Sequence, residues 1–112
     1  MTEIQGIGRL KIRDGKREAF ERVVARFMQL VRERDTGTLQ YEVYLDAARS
    51  EYVVLERYRD LQALLEHHVH VRGLMDELLE TCTMSSEVCA TRTPELVEAL
   101  GASGAVIYER FA

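Results

Sequence analysis

The sequence predicts an α+β fold in which two helices cover one face of a four-stranded antiparallel sheet, the split β-α-β plan. Three observations predict it. Segments with alternating apolar residues and segments with helical periodicity follow one another in the order β-α-β-β-α-β. A short polar connection joins the two middle strands, as in a hairpin. The length of 112 residues suits a single domain, here predicted over residues 1–92 with a helix and strand appended over 93–112.

The first strand is predicted over residues 3–13, where apolar and polar residues alternate. Gly6 and Gly8 fall on its apolar face, a pattern that leaves room for a neighbouring side chain or a bound molecule. An amphipathic helix of about five turns then opens at Asp14 or Gly15 and ends before Gly37.

The central hairpin is predicted over residues 38–46 and 51–59, which alternate and are rich in aromatic and β-branched residues. Counted along each strand, large side chains fall on both faces. We expect one face to carry Tyr41, Val43, Val53 and Leu55 and the other to carry Tyr44, Tyr52, Val54 and Tyr58. The face without helices should therefore pack on something, most simply a second copy of the chain.

The second helix should start after Asp60, a good N-cap, and break near Gly73. A weaker strand is predicted over 83–91. Thr93 as N-cap, followed by proline and ended by Gly101, predicts a short C-terminal helix, and residues 105–111 a last strand. We expect this extension to pack on its own domain or on a partner subunit.

Composition excludes several classes of protein. The net charge is −4 with acidic and basic residues interleaved, which argues against a nucleic-acid partner. The apolar runs are too short to cross a membrane, and no apolar leader is evident, so a cytoplasmic location is expected. Two cysteines without a second pair favour neither a disulfide framework nor a zinc site.

All three histidines lie in the second helix, at His67, His68 and His70. A catalytic zinc needs three protein ligands and the HExxH pattern is missing, so no metal is expected. A helical wheel puts His68 inside the apolar stripe, His67 on its border and His70 outside. The stripe consists of Leu61, Leu64, Leu65 and Val69. A border histidine can act as a base towards a cavity, whereas His68 is read as a buried structural histidine.

The run "GKREAFERVVARF…RDTGTLQYEVYLD…YVVLERYRDLQALLEHH" resembles the antibiotic biosynthesis monooxygenase domain, a group of quinol-monooxygenase-like, ferredoxin-like proteins that form dimeric α+β barrels. The resemblance covers about residues 4–90. It places Glu56, Leu64 and His67 at family positions, and it favours His67 over His68 as the functional histidine.

The resemblance implies a homodimer with a pocket between sheet and helices, in which a small aromatic phenol or quinol is oxidised by O2 without metal or flavin. His67 would be the base, and Tyr58 or Arg72 the donor to the oxyanion. The substrate-binding side chains would be Tyr41, Tyr44, Tyr52, Glu56, Leu64 and His68.

Two departures from the family keep alternatives open. The chain has no tryptophan, which several oxidising relatives use, and Arg72 stands where a second histidine is frequent. An isomerase or tautomerase could use the same base and pocket, and the fold also hosts ligand-binding, stress-response dimers without catalysis. A strand of the extension could also cross to the partner and close the barrel.

Overall fold

The computed structural model describes residues 3–112 and shows a mixed five-stranded sheet with helices. In chain order the elements are β1 (Ile4–Ile12), α1 (Arg17–Arg34), β2 (Thr38–Asp46), β3 (Glu51–Tyr58), α2 (Leu61–Val71), a 3₁₀ turn (Arg72–Leu74), α3 (Met75–Thr81), β4 (Cys82–Cys89), α4 (Pro94–Leu100), a second 3₁₀ turn (Gly101–Ser103) and β5 (Val106–Tyr108). Within residues 3–112, no helix combines the length and apolar character that a membrane-spanning segment needs.

The sheet has the strand order β2-β3-β1-β4-β5. Its first four strands are antiparallel, as the ferredoxin-like α+β prediction requires. β5 adds a fifth strand, which runs parallel to β4 of the same chain and makes the sheet mixed. The helix α1 begins at Arg17, slightly later than expected, because Gly15 adopts a positive φ in the preceding turn.

The core lies between the sheet and the helices that cover it. Phe20 and Val23 of α1 are fully buried there, against apolar side chains from β1, β3, α2 and α3. A second cluster brings Ile4, Tyr58 and Leu64 together with Leu96 of the C-terminal helix. The helices therefore bury one face of the sheet.

The predicted division of the hairpin into faces was wrong. Tyr41 pairs across the strands with Glu56, and Val43 pairs with Val54, so these four side chains share the helix-covered face. The reason is the hairpin register: from Gln40 to Asp46, an odd-numbered residue of β2 pairs with an even-numbered residue of β3, and the register shifts only between Thr38 and Gln40.

The predicted apolar stripe of α2 was confirmed for Leu64, which is buried, and for Leu61, which packs on the second cluster, but was wrong for its other two members. Leu65 is 36% and Val69 59% exposed, whereas the buried positions of α2 are Ala63, Leu64, His67 and Val71. These positions are three and four residues apart, so they form a stripe of their own that includes a histidine. Asp60 caps the helix by accepting from the Ala63 N–H, and the 3₁₀ turn interrupts it at the predicted glycine.

Candidate active site

A cavity of about 420 Å³ lies between the sheet and the helices. Most of its lining is apolar, with side chains from β1, β3, α1 and α2. Gly6 and Gly8 line it from β1, where the missing side chains leave the space open. The sequence pattern of two glycines on one strand face thus corresponds to a real cavity.

His67 is buried and borders this cavity. Its Nδ1 lies 2.8 Å from Asp35 Oδ2, and its Nε2 lies 4.0 Å from Glu56 Oε1. Because an ionised carboxylate can only accept hydrogen bonds, we infer that Nδ1 carries the proton and donates it to Asp35. Nε2 then has a free lone pair, as a general base requires.

Asp35, which was not predicted as a site residue, holds this arrangement together. Its side chain is inaccessible to solvent and accepts from His67, from His70 Nδ1 at 2.6 Å and from the Thr38 hydroxyl at 2.7 Å. Burial opposes the charge, but the hydrogen bonds from His70, Thr38 and His67 outweigh it and hold the pKa of Asp35 below its ordinary value. The helix dipole disfavours a carboxylate directly after a helix C-terminus, where Asp35 lies. This unusual position is the sequence signal that could have identified Asp35.

Glu56 and Tyr58 form a second polar pair on the cavity wall. The Tyr58 hydroxyl donates to Glu56 Oε1. Burial raises the pKa of Glu56, although the Tyr58 hydrogen bond and the His67 charge oppose the shift. Burial and the nearby Glu56 carboxyl also raise the pKa of Tyr58, which therefore stays protonated. The Tyr58 proton is therefore engaged by Glu56, and the pair lies beside His67.

Tyr41 also packs against the His67 ring, with ring centroids 5.4 Å apart, and lines the cavity. Burial, followed by the Glu56 and Asp35 charges, raises the pKa of Tyr41, so its hydroxyl remains a donor. Among residues 3–112 this hydroxyl has no hydrogen-bond partner. Tyr41 is thus a donor that a ligand can use.

His68 and Arg72 also line the cavity, further from Asp35. His68 is partly buried, and burial lowers its pKa with help from the His67 and Arg72 charges, so its ring is neutral near pH 7. Arg72 is exposed. The predicted oxyanion donor therefore stands at the rim of the cavity.

The structure does not bring every predicted residue to the cavity. Leu64 and Glu56 line it, but Tyr44 and Tyr52 do not. Tyr44 is 53% exposed on the uncovered face of the sheet, because it pairs with Val53. Tyr52 lies in the filled part of the core, where its hydroxyl accepts from Arg17 and donates to Glu21. Neither residue lies at this cavity, and their assignment to substrate binding stays a prediction.

A metal ion has one conceivable location among the described residues. The ligand atoms of Asp35, Glu66 and His70 lie within 4.8 Å of one another. These atoms are already engaged, since Asp35 accepts from His70 and Glu66 accepts from the Thr36 N–H at 2.7 Å and from its hydroxyl. The cluster is therefore a hydrogen-bonded junction between the end of α1 and α2.

Comparison with protein families gives one match. The model of the antibiotic biosynthesis monooxygenase family matches residues 6–71, which is more than half of the chain. No curated protein matches the chain.

Solved structures share the fold. MupZ from Pseudomonas fluorescens is 22% identical, with 100% of this chain and 93% of MupZ covered and a TM-score of 0.88. Rv0793 from Mycobacterium tuberculosis is 26% identical, with 82% and 97% covered and a TM-score of 0.72. SnoaB from Streptomyces nogalater, described as a cofactor-independent oxygenase, is 17% identical, with 83% and 96% covered and a TM-score of 0.69.

Proposed function

The chain belongs to the antibiotic biosynthesis monooxygenase family, and from that premise we propose that it is a cofactor-independent monooxygenase acting on a phenolic or quinol-like aromatic compound. SnoaB, a structural neighbour, is a cofactor-independent oxygenase. One observation in this chain carries the proposal: the Asp35–His67 pair presents a free imidazole nitrogen at the wall of a mostly apolar cavity.

The first step is proton abstraction. His67 Nε2 removes the phenolic proton of the substrate, and the imidazolium that forms is stabilised by the Asp35 carboxylate 2.8 Å from Nδ1. The phenolate is electron-rich enough to reduce O2 itself, so the substrate takes the place of a redox cofactor. An apolar cavity assists because it excludes the water that would solvate the anion and O2 reduction products.

The oxygen atoms and electrons balance without a further reductant. For an anthrone, His67 takes the first proton from the CH2 group, which gives the same phenolate-like anion. This anion reduces O2, a carbon–oxygen bond forms at that carbon, and the imidazolium returns its proton to give a hydroperoxide. His67 then removes the remaining proton from the same carbon, the C=O bond forms, and the O–O bond breaks. The leaving hydroxide takes the proton from the imidazolium as water, so a CH2 group and O2 give C=O and H2O.

Tyr41 is the best placed donor to the substrate oxyanion. Its hydroxyl is protonated, borders the cavity and has no partner among residues 3–112, whereas the Tyr58 hydroxyl is engaged by Glu56. Removing a preorganised donor of this kind typically costs about 10²–10³ in kcat. Tyr58 and Arg72, predicted from the resemblance for this role, are less well placed, since Arg72 is exposed at the rim.

Oxygen uptake with a panel of hydroquinones and anthrones tests the proposal. Turnover should consume one O2 per substrate oxidised, without added metal or flavin and in the presence of a chelator. The matched variants are His67→Asn and His70→Asn, because both rings bind the same Asp35 carboxylate but only His67 lines the cavity. We expect His67→Asn to lose about 10²–10⁴ of the rate and His70→Asn far less. Equal losses would contradict the assignment of His67 as the base.

A second function, isomerisation without O2, is favoured by Glu56. Burial raises the pKa of its carboxyl, which lies 4.0 Å from His67 Nε2, so two groups that can exchange protons face the same cavity. Such a pair can move a proton between two atoms of a substrate with no net oxidation. Turnover that continues in an anaerobic chamber would select this function. Tight ligand binding with neither kind of turnover would select a non-catalytic binding protein.

We further propose that the active form is a homodimer joined through the uncovered sheet face. Ile7 of β1 and Leu55 of β3 pair on that face, and Tyr44 lies on it as well. Apolar side chains on a face without helices favour burial against a second copy. Sedimentation should give the mass of a dimer for the natural chain and of a monomer for Leu55→Arg.

A further inference from the structure

The C-terminal segment lies beyond the family match, which ends at residue 71, yet it forms part of the cavity. Leu100, Ser103 and Ala105 line the cavity from the end of α4 to the start of β5. They add a wall that residues 6–71 do not supply.

This wall is anchored at both ends. At its start, the Thr93 hydroxyl caps α4 by accepting from the Leu96 N–H at 3.1 Å, and Leu96 is 2% exposed among Tyr58, Leu64 and their neighbours. At its end, β5 pairs with β4. Burial of an apolar side chain such as Leu96 favours the folded position of the segment. The segment is therefore held in place as a fixed wall.

The exposed lining residues mark where the cavity opens. They are Arg72 after α2, Met84 of β4 and Ser103 of the C-terminal segment. The Ser103 hydroxyl is engaged, since it donates to the Leu100 carbonyl and accepts from the Ala105 N–H. The Arg72 guanidinium has no hydrogen-bond or ion-pair partner among residues 3–112. The mouth thus offers an unused positive charge.

The two ends of the cavity differ in charge. Glu56 lines the inner part, and the buried Asp35 carboxylate lies directly behind His67. The walls between are mostly apolar, so an ionised group of a ligand would be costly to bury there. A permanently ionised group of a ligand is therefore better placed at the exposed mouth, where it can pair with Arg72, than between these apolar walls.

We propose that Arg72 and the C-terminal wall select an elongated apolar substrate whose outer end carries an acidic group. The aromatic body fills the cavity with its reacting end at His67, and Leu100, Ser103 and Ala105 bound its outer part. The acidic group, a carboxylate or another oxyanion, pairs with Arg72 at the mouth. This inference rests on the proposed function for the position of the reacting end, whereas the location of the acidic group is testable by binding alone.

Two fluorescent probes that differ in one sulfonate separate these contributions. The anionic 1-anilinonaphthalene-8-sulfonate and the uncharged N-phenyl-1-naphthylamine have the same ring system. Fluorescence titration gives the Kd of each for the natural chain and for Arg72→Gln. We expect Arg72→Gln to weaken binding of the anionic probe about threefold to fivefold, less at high salt, and to leave the neutral probe unchanged. A loss that is equal for both probes, or absent for both, would overturn the role of Arg72.

The wall is tested with a bulky side chain at two exposed positions of the same segment. Ser103→Trp should weaken binding of both probes at least fivefold, because it narrows the mouth. Val97→Trp is the control, since Val97 is exposed on α4 and does not line the cavity. This variant should change neither Kd more than twofold.

Leu100→Ala, which widens the outer part of the cavity, should favour binding of longer ligands. Equal effects of the Ser103 and Val97 variants, with both proteins folded by circular dichroism, would overturn the proposed wall. None of these binding measurements needs turnover, so their outcome does not depend on whether the protein has oxygenase activity.

Discussion

Two tyrosines of β3, Tyr52 and Tyr58, lie on the same helix-covered face of the sheet but in different surroundings. Tyr52 pairs with Leu10 of β1, and its ring packs on Phe20 with centroids 4.6 Å apart. Tyr58 borders the cavity.

The difference originates in β1 rather than in the tyrosines. On the way from Tyr52 to Tyr58, the residues of β3 that face the helices pair with Gly8 and then Gly6. No side chain rises from β1 there, so the space between sheet and helices stays open. One end of the layer is a packed core, and the other is a mostly apolar cavity left open by two missing side chains.

The largest effect should come from removing the charge behind His67. Asp35→Asn keeps the size of the side chain but ends the preference for a proton on His67 Nδ1, so Nε2 no longer accepts a proton reliably. We expect kcat to fall by about 10³-fold with KM changed less than threefold. Thr38→Val, which removes another hydrogen bond to Asp35, is the milder comparison. If the Asp35→Asn variant kept more than a tenth of the natural rate, this positioning role would be ruled out.

Filling the cavity with a side chain from β1 should make this region as closely packed as the core around Tyr52. At Gly8 an added Cβ would meet Val54 and Glu56 at ordinary contact distances, so leucine can be accommodated and would extend into the cavity. Gly8→Leu should weaken binding and turnover by about 100-fold, while the melting temperature stays equal or rises because apolar area is buried.

Gly73→Leu provides the matched control, because the added side chain would point into open space outside the cavity. It should leave turnover within twofold of the natural chain. A Gly8→Leu variant that binds substrate normally would show that the reaction takes place elsewhere.

Glu56→Gln should reveal the cost of a buried carboxyl as a pH-dependent change in stability. Since the pKa of Glu56 is raised in the folded state, ionising it opposes folding. The natural chain should lose stability as the pH rises from about 4.5 through the folded pKa, and the glutamine variant should not. The variant should thus melt higher at pH 8 and about the same at pH 4; each 1 kcal/mol corresponds to about 4–8 °C. A gain at pH 4 as large as that at pH 8 would refute the raised pKa.

The smallest effect is expected at the packed end. Tyr52→Phe removes a hydroxyl that joins Arg17 and Glu21, both outside the cavity. Stability should fall by about 0.5–1.5 kcal/mol in urea unfolding, while kcat and KM stay within twofold. A large loss of activity would mean that the two ends of the layer are coupled.

The sequence by itself determined the order of the elements, the caps of α2 and α4, the break at Gly73 and the family. These features depend on local periodicity, on turn and cap residues and on the linear order of a motif, all of which can be read along the chain. The two glycines of β1 also predicted an open space beside that strand, although its partner strands were not yet known.

Only the tertiary structure decided which side chains meet. The hairpin register placed Tyr41 beside Glu56 and sent Tyr44 to the other face, and a shift of one residue would have reversed both. The packing of α2 against the sheet places His67, rather than Val69, on the buried side of the helix. There His67 meets Asp35, which is 32 residues away in the chain. Such contacts depend on burial and hydrogen bonding across the whole fold, so no local pattern of residues predicts them.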